Sequence, residues 1–371
     1  MKIGLIYQKF ISSGGLETYL FRFAGELLDA GHELHILTGE TDAETEALGA
    51  TIHSVYLPKH SKTRALLTFE REVLRRGKQL PVDVTIGFGR TTQQDLHRAG
   101  AGCHAAYLPL LNPFKRKGFK TRIELNLERN LYNSGRTRHF IVNSTLVREQ
   151  LIEHYALTEN DITIIRTAVD AEHFRPAEDN PSRNALRESL GVRDEQPVLL
   201  FVSRSHRRKG LATLLAAWPE IHALTGAQLW VAGPGIKRFI KSLPSGMHGT
   251  ITSFTGLDDI LHLYQAADLF VHPTLYDACA NTVLQSMACG LPGIISTADG
   301  ARQFIENGRN GWLLDAPKDH LSLTGLVVNA IHHDNLRSIG ESARENVLPL
   351  TWEAHLSAWK NQFERSIPNP Q

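Results

Sequence analysis

The amino-acid sequence predicts an α/β protein made of two doubly wound parallel-sheet domains in tandem. Three observations carry this reading. The chain of 371 residues is too long for one ordinary domain. Short apolar runs alternate with amphipathic helical stretches, the pattern of strands covered by helices on both faces. The alternation then restarts after the polar stretch Asp179-Asn-Pro-Ser182, which reads as a linker. These features place a first domain at residues 1–175 and a second at 185–350, with the terminal segment 352–371 packing back on the first as a helix. In such folds, ligands bind beyond the carboxyl ends of the strands.

Ile3–Tyr7 reads as a buried strand, and Leu16, Tyr19, Leu20, Phe23 and Leu27 recur at helical spacing until Gly31 closes the helix. Leu34–Leu37, Ile52–Leu57, Val82–Phe88, Phe140–Val142 and Ile162–Ile165 supply further strands, and Ser144 caps a helix starting at Thr145. In the second half the strands are Val198–Val202, Leu229–Val231, Ile251–Phe254, Leu269–Val271 and Gly293–Ile295. A helix over Trp352–Phe363 follows.

The hydrophobic share of 42% and the charged share of 21% exclude a disordered chain, and a net charge of +1 gives no ground for a nucleic-acid partner. The first apolar run is too short for a signal peptide. No stretch reaches the ~18 apolar residues of a membrane span. The expected location is therefore cytoplasmic, peripheral at most on the inner face of the membrane. Cys103, Cys279 and Cys289 have no zinc-type spacing and read as reduced core thiols. No strict Asp-x-Asp motif is present, so the sequence calls for neither a metal nor a cofactor.

Four segments carry chemistry. Ser12-Ser-Gly-Gly15 joins the first strand to the first helix, where glycines admit a ligand to the backbone and the helix start favours negative charge. Arg204-Ser-His-Arg-Arg-Lys-Gly210 brings several cations to the end of a central strand, suited to a diphosphate. Phe254-Thr255-Gly256 is a turn open to a nucleobase, while Asp268 reads as a capping or orienting residue. In the fourth segment a strand ends at His272, a loop carries Asp277, and a helix starts near Ala280, Asn281 and Thr282. The backbone N–H groups there can meet a phosphate, and Gly290 and Pro292 stop the helix. A dinucleotide-dependent oxidoreductase is disfavoured, because no Gly-x-Gly-x-x-Gly follows the first strand.

Taken in order, these segments resemble the family 4 glycosyltransferases, retaining enzymes of the two-domain GT-B architecture. The markers are the Gly-Gly loop, the Arg…Lys-Gly pair, Phe-Thr-Gly, Tyr-Gln-Ala-Ala-Asp-Leu-Phe-Val-His-Pro and the block Leu275–Pro292. That last block is similar to the branch containing a glucosyltransferase of the lipopolysaccharide core. The resemblance implies a nucleotide diphosphate sugar as donor and a cell-envelope glycan or glycolipid as acceptor. Gly14 and Gly15 then lie against the donor diphosphate, and Arg204 and Lys209 bind it and offset charge on the leaving group. Asp277 stands where the family has the acid that addresses the sugar hydroxyls. Gln285 stands eight positions on, where the family has a second acid for the ribose. An amide cannot replace that charged acceptor. Gln285 thus keeps open a paralogue that only binds nucleotide sugar, and a sibling transferase with another acceptor remains open too. The stretch Arg98-Ala-Gly-Ala-Gly-Cys-His104 resembles one that follows a first-domain strand in this branch, and the resemblance implies His104 as the catalytic-site candidate of the first domain.

Between Pro113 and His139 eight cations, Lys115 to Arg138, face only Glu124 and Glu128, and Phe114, Phe119, Ile123, Leu127 and Leu131 interleave with them. A segment of that kind suits an anionic membrane surface.

Overall fold

The computed structural model describes residues 1–193, 195–241, 244–256 and 260–366. The chain divides into two units, Met1–Arg166 with Trp352–Gln371, and Thr167–Thr351.

Unit 1 holds a parallel sheet of seven strands: β1 (Lys2–Ile6), β2 (Glu33–Thr38), β3 (Thr51–Ser54), β4 (Val84–Gly87), β5 (Leu96–Arg98), β6 (His139–Val142) and β7 (Ile162–Ile164). Their order is β3-β2-β1-β4-β5-β6-β7. Strands covered on both faces need near-continuous apolar runs, which is why β1, β2 and β4 were readable. β5 was not, since it is three residues long and two of them are polar. Burial of those two is met by aromatic partners: the Arg98 guanidinium lies 3.8 Å from the Tyr19 ring centroid, and His97 meets the Tyr132 and Phe140 rings edge-on.

The helix Leu16–Asp29 turns Tyr19, Leu20, Phe23 and Leu27 into the core. The helix Trp352–Ser366 adds Trp359 and Phe363 to the same core, with Trp359 stacked obliquely 5.2 Å from Phe23. Between them sits His355, which is buried. Its Nδ1–H donates to the Arg166 carbonyl at 2.7 Å, and Nε2 accepts from the Tyr19 hydroxyl (2.8 Å) and the Trp359 indole (3.1 Å).

Unit 2 holds six parallel strands: β8 (Val198–Val202), β9 (Gln228–Ala232), β10 (Ile251–Phe254), β11 (Leu269–His272), β12 (Gly293–Ser296) and β13 (Trp312–Leu314), ordered β10-β9-β8-β11-β12-β13. Alternate residues of β8 feed separate cores. Val198, Leu200 and Val202 join Trp230, Phe270 and Met287, whereas Leu199 and Phe201 join Trp218, Val231 and Val327. With β8 at the centre of the sheet, the loops that leave its carboxyl end are flanked by those of β9 and β11.

Two sequence expectations are corrected here. Asp179-Asn-Pro-Ser182 is not a linker but a helix start: Asp179 accepts the Ser182 N–H at 2.9 Å and caps the helix Asn180–Ser189, with proline in its first turn. Residues 167–175 belong to unit 2, not to the first domain. Val169 is buried in the unit 2 core, and Arg344 donates to the carbonyls of Ala171 and Phe174. β13 was also missed, since its three residues are too few to show a period.

Burial, and then the Arg98 charge, lower the His355 pKa from 6.5 to about 4. The folded chain therefore holds this ring neutral at pH values where the unfolded chain already binds a proton. Stability is present in full above pH 6.5 and drains away as pH falls toward 4, by about 3 kcal/mol for this group. Urea unfolding of wild type and His355→Gln across pH 7.5 to 4 checks this. The wild type should lose more stability on acidification than the variant, by roughly that amount.

Candidate functional site

The carboxyl ends of β8 and β11 bring two loops together in unit 2. Leu275 donates its N–H to the Arg208 carbonyl at 2.8 Å, and the Thr274 hydroxyl donates to the same oxygen at 3.1 Å. Gly210 takes a φ of +80°, and a Cβ there would sit 1.8 Å from the Pro273 carbonyl oxygen. On the other side Gly233, with φ +144°, packs as closely on the Ser203 carbonyl. His206 binds the Pro234 carbonyl at 2.7 Å, which makes it a fastener of the β8 and β9 loops.

This packing carries Lys209 and Asp277 to one point. Both side chains are almost fully buried, and the Lys209 ammonium contacts Asp277 Oδ2. Arg208 reaches the same oxygen at 2.9 Å and donates to the Tyr276 carbonyl. Burial pushes the Asp277 carboxyl upward, but Lys209 and then Arg208 outweigh it and hold the pKa at about 2. Asp277 is thus a firmly ionised acceptor flanked by two cations. Arg204 lies on the exposed part of the same loop.

The helix Asn281–Ala288 starts immediately after this cluster, with Ala280 as N-cap and no side chain capping it. Asn281 is exposed, and Thr282 Oγ1 is buried without a hydrogen-bond partner. The helix start thus presents backbone donors, with the partial positive charge of the helix behind them. Gln285 is one turn further in, and its side-chain oxygen accepts from the buried Tyr264 hydroxyl at 3.3 Å. Gln285 still offers its NH2 donor and the second lone pair of that oxygen. Thr255 and Gly256 are exposed beyond β10, and residues 257–259 lie outside the described ones.

The contacts of three residues escaped the sequence reading, which had named His272 only as a strand end. Arg208 was one of three arginines in its segment, and nothing in the pattern singled it out. His272, at the end of β11, is fully buried with Nε2 3.4 Å from Lys209 Nζ and 3.3 Å from Asp299 Oδ2. Asp299 is also fully buried, and its Oδ1 accepts the N–H groups of Ala280 (3.0 Å) and Ala301 (2.8 Å). It is distant in sequence and sits in no motif. Asp268 is structural: it pairs with Arg183 and Arg187 and accepts the Val198 N–H at the amino end of β8.

In unit 1, Gly14 has φ +145° in the loop before the helix Leu16–Asp29, and Gly15 precedes its first residue. Asp42 holds this loop by accepting the N–H (2.7 Å) and hydroxyl (2.8 Å) of Ser12. His104 begins a short helix whose first two N–H groups, His104 and Ala105, donate to Glu128. Its Nε2 lies 3.6 Å from Glu124, which also meets Arg90 at 3.5 Å. Burial and the Arg90 charge lower the His104 pKa, against the pull of Glu128 and Glu124. The ring is a neutral base within reach of a carboxylate.

The cationic segment folds as Pro113–Arg116 and Phe119–Asn133. Leu127 and Leu131 are buried in the unit, so the helical apolar face expected for a membrane is mostly turned inward. What remains outside is Phe114, 91% exposed, and Phe119, 74% exposed, beside the exposed Lys115, Arg116, Lys117 and Lys120. Arg138 is tied down by Asp95 and the Ser366 carbonyl. Among the described residues no helix is long and apolar enough to cross a membrane. The buried cysteines Cys103 and Cys289 are core thiols, each pushed up to about 12 chiefly by burial.

Two parallel-sheet units with a cationic, acid-bearing loop cluster and an uncapped helix start define a glycosyltransferase of GT-B type. The chain belongs to that family: the model for "Glycosyltransferase Family 4" matches residues 13–173, and that for "Glycosyl transferases group 1" matches residues 196–333. A protein of Burkholderia thailandensis named a probable transglycosylase is 30% identical, over 89% of this chain and 86% of its own. The lipopolysaccharide glucosyltransferase WaaG of Escherichia coli is 22% identical over 93% of both chains. A crystal structure of WaaG superposes with a TM-score of 0.82 at 22% identity, covering 99% of this chain and 100% of that one. Anabaena HepE in complex with UDP and glucose superposes at 0.74 with 17% identity, covering 98% and 100%. The protein is accordingly an enzyme of the hexosyltransferase class.

Gly210→Ala forces a side chain into left-handed backbone against the Pro273 carbonyl. The substitution should destabilise unit 2 by at least ~2 kcal/mol and lower the melting temperature by roughly 5 °C. Gly226→Ala also has left-handed backbone but no atom within 4 Å of its Cβ, and should cost less in the same melt.

Proposed function

We propose that the enzyme moves a hexose from a nucleotide diphosphate sugar to a cell-envelope glycan or glycolipid, with retention of anomeric configuration and without a metal. The observation that carries this reading is the convergence of Lys209, Arg208 and Asp277 beside an uncapped helix start. In such a donor the sugar and the β-phosphate share the bond to be broken, so a cation for one and an acid for the other must be neighbours. Lys209 and Arg204 take the diphosphate and offset the charge that grows on it as the sugar departs with oxocarbenium character. The N–H groups after Ala280 meet a phosphate, Asp277 takes the sugar hydroxyls, Gln285 addresses the ribose, and Thr255 and Gly256 border the base. In unit 1 we assign Gly14 and Gly15 to a diphosphate and neutral His104 to the acceptor side of the reaction, as the family resemblance implies. The departing phosphate takes the acceptor's proton in a front-face reaction. HepE, crystallised with UDP and glucose, and WaaG, named for lipopolysaccharide, support a UDP-type donor and an envelope acceptor.

A cytoplasmic enzyme acting on a lipid-linked acceptor would work at the inner face of a membrane. Phe114 and Phe119 among their lysines suit an anionic bilayer: the rings enter the interface and the cations meet lipid phosphates.

Incubation with a panel of nucleotide sugars, following nucleotide release, tests the donor reading. One donor should be hydrolysed slowly without acceptor, and Lys209→Ala and Arg204→Ala should each slow that release by about 100-fold. Unchanged turnover in Arg204→Ala would sink its leaving-group role, and silence across the panel would favour a protein that only binds nucleotide sugar.

The membrane contact is checked by sedimentation with phosphatidylglycerol/phosphatidylcholine vesicles at low salt. Wild type should bind these and not pure phosphatidylcholine, and Phe114→Ser/Phe119→Ser should bind roughly tenfold more weakly or less.

A further inference from the structure

Asp299 and His272 stand behind the Lys209–Asp277 pair and take no part in the donor contacts above. Asp299 Oδ1 is committed to two backbone N–H groups, those of Ala280 and Ala301. Among the described residues its Oδ2 has no hydrogen-bond partner, and His272 Nε2 lies 3.3 Å away. That nitrogen also lies 3.4 Å from Lys209 Nζ, while His272 Nδ1 meets no partner. Both side chains are fully buried.

A neutral imidazole carries one N–H and one lone pair. If the proton were on Nδ1, the Nε2 lone pair could accept from the Lys209 ammonium at 3.4 Å, but a buried donor would be orphaned at Nδ1 and that lone pair would also face the Asp299 carboxylate. If the proton is on Nε2, it lies 3.3 Å from the Asp299 carboxylate, a charge contact and not an aligned hydrogen bond, and only an acceptor lone pair at Nδ1 goes unmet, the cheaper fault in a folded core. Burial and the Lys209 charge, opposed by Asp299 and Asp277, lower the His272 pKa and keep the ring neutral. With its proton on Nε2 the ring offers Lys209 no acceptor, so the ammonium is left to Asp277.

We infer that Asp299 is a positioning residue of the transferase site. It holds His272 as the Nε2–H tautomer, so that Lys209 is directed to Asp277 and to a donor phosphate and away from the imidazole. Its second oxygen, through Ala280, fixes the start of the helix that follows. The functional half of this inference rests on the donor role proposed for Lys209, whereas the tautomer does not.

Asp299→Asn is the informative substitution. It keeps an oxygen for the two N–H groups but sets an NH2 opposite Nε2, which favours a lone pair there, one for which the Lys209 ammonium then competes. Long-range proton–nitrogen correlation of the histidine rings at neutral pH reads the tautomer, with His272 assigned by its loss in His272→Gln or His272→Phe. The wild type should show Nε2 protonated and Nδ1 bare, and Asp299→Asn the reverse. A wild-type proton on Nδ1, or one tautomer in both proteins, overturns the inference.

Donor turnover supplies the second reading. Asp299→Asn should lower it by about tenfold or more while its melting temperature stays within a few degrees of wild type. In the His272→Gln background the same change should matter by less than about threefold. An equal loss in both backgrounds overturns the route through His272. Absence of turnover with every donor in the wild type would instead count against the donor reading, and the tautomer would still decide this one.

Discussion

Lys209 and Asp277 meet at the carboxyl edge of the second sheet with almost no water to screen them. Such a pair adds little net stability, because desolvating both charges cancels most of their attraction. Removing one partner is another matter, since it leaves a buried charge uncompensated, at a cost of about 3–5 kcal/mol. The surroundings follow from that asymmetry. Arg208 is turned inward to the same carboxylate, the loops of β8 and β11 are joined backbone to backbone, and glycine stands where any Cβ would part them. A charged site built this way is rigid before any ligand arrives, which is how a transferase avoids reorganising its dipoles during the reaction.

The same edge explains a division of labour among the loops. Gly210 and Gly233 are fixed by contact with neighbouring carbonyls, while Arg204, Thr255, Gly256 and Asn281 are exposed. A side chain added at the first set would part the framework, whereas the second set can change without disturbing it.

Much of this was legible in the sequence, for a physical reason. Buried parallel strands must be apolar on both faces, so β1, β8 and β11 declare themselves, and Lys209 and Asp277 fall at strand ends where ligands bind. β5 stayed hidden because Arg98 and His97 are buried through aromatic rings and not through apolar side chains. Leu127 and Leu131 show helical spacing, but spacing states only that a face is apolar; the protein's own core, not a bilayer, covers it. Arg208 and Asp299 could not be found from pattern at all. Their roles depend on which loops are threaded together, and hydrogen bonds such as Leu275 to Arg208 exist only after folding.

The terminal helix Trp352–Ser366 has a bearing on how the chain is made. Trp359 and Phe363 complete the core around Phe23, and His355 joins Tyr19 to Arg166, yet all three are synthesised after the whole of unit 2. At a ribosomal pace of about 5–20 residues per second, the first unit waits on the order of 10–40 seconds with an apolar gap beside Tyr19 and Phe23. The second unit, continuous in sequence, has every residue of its core before then. The half of the protein that emerges first is thus the half that finishes last, with part of its core apolar and uncovered through that interval.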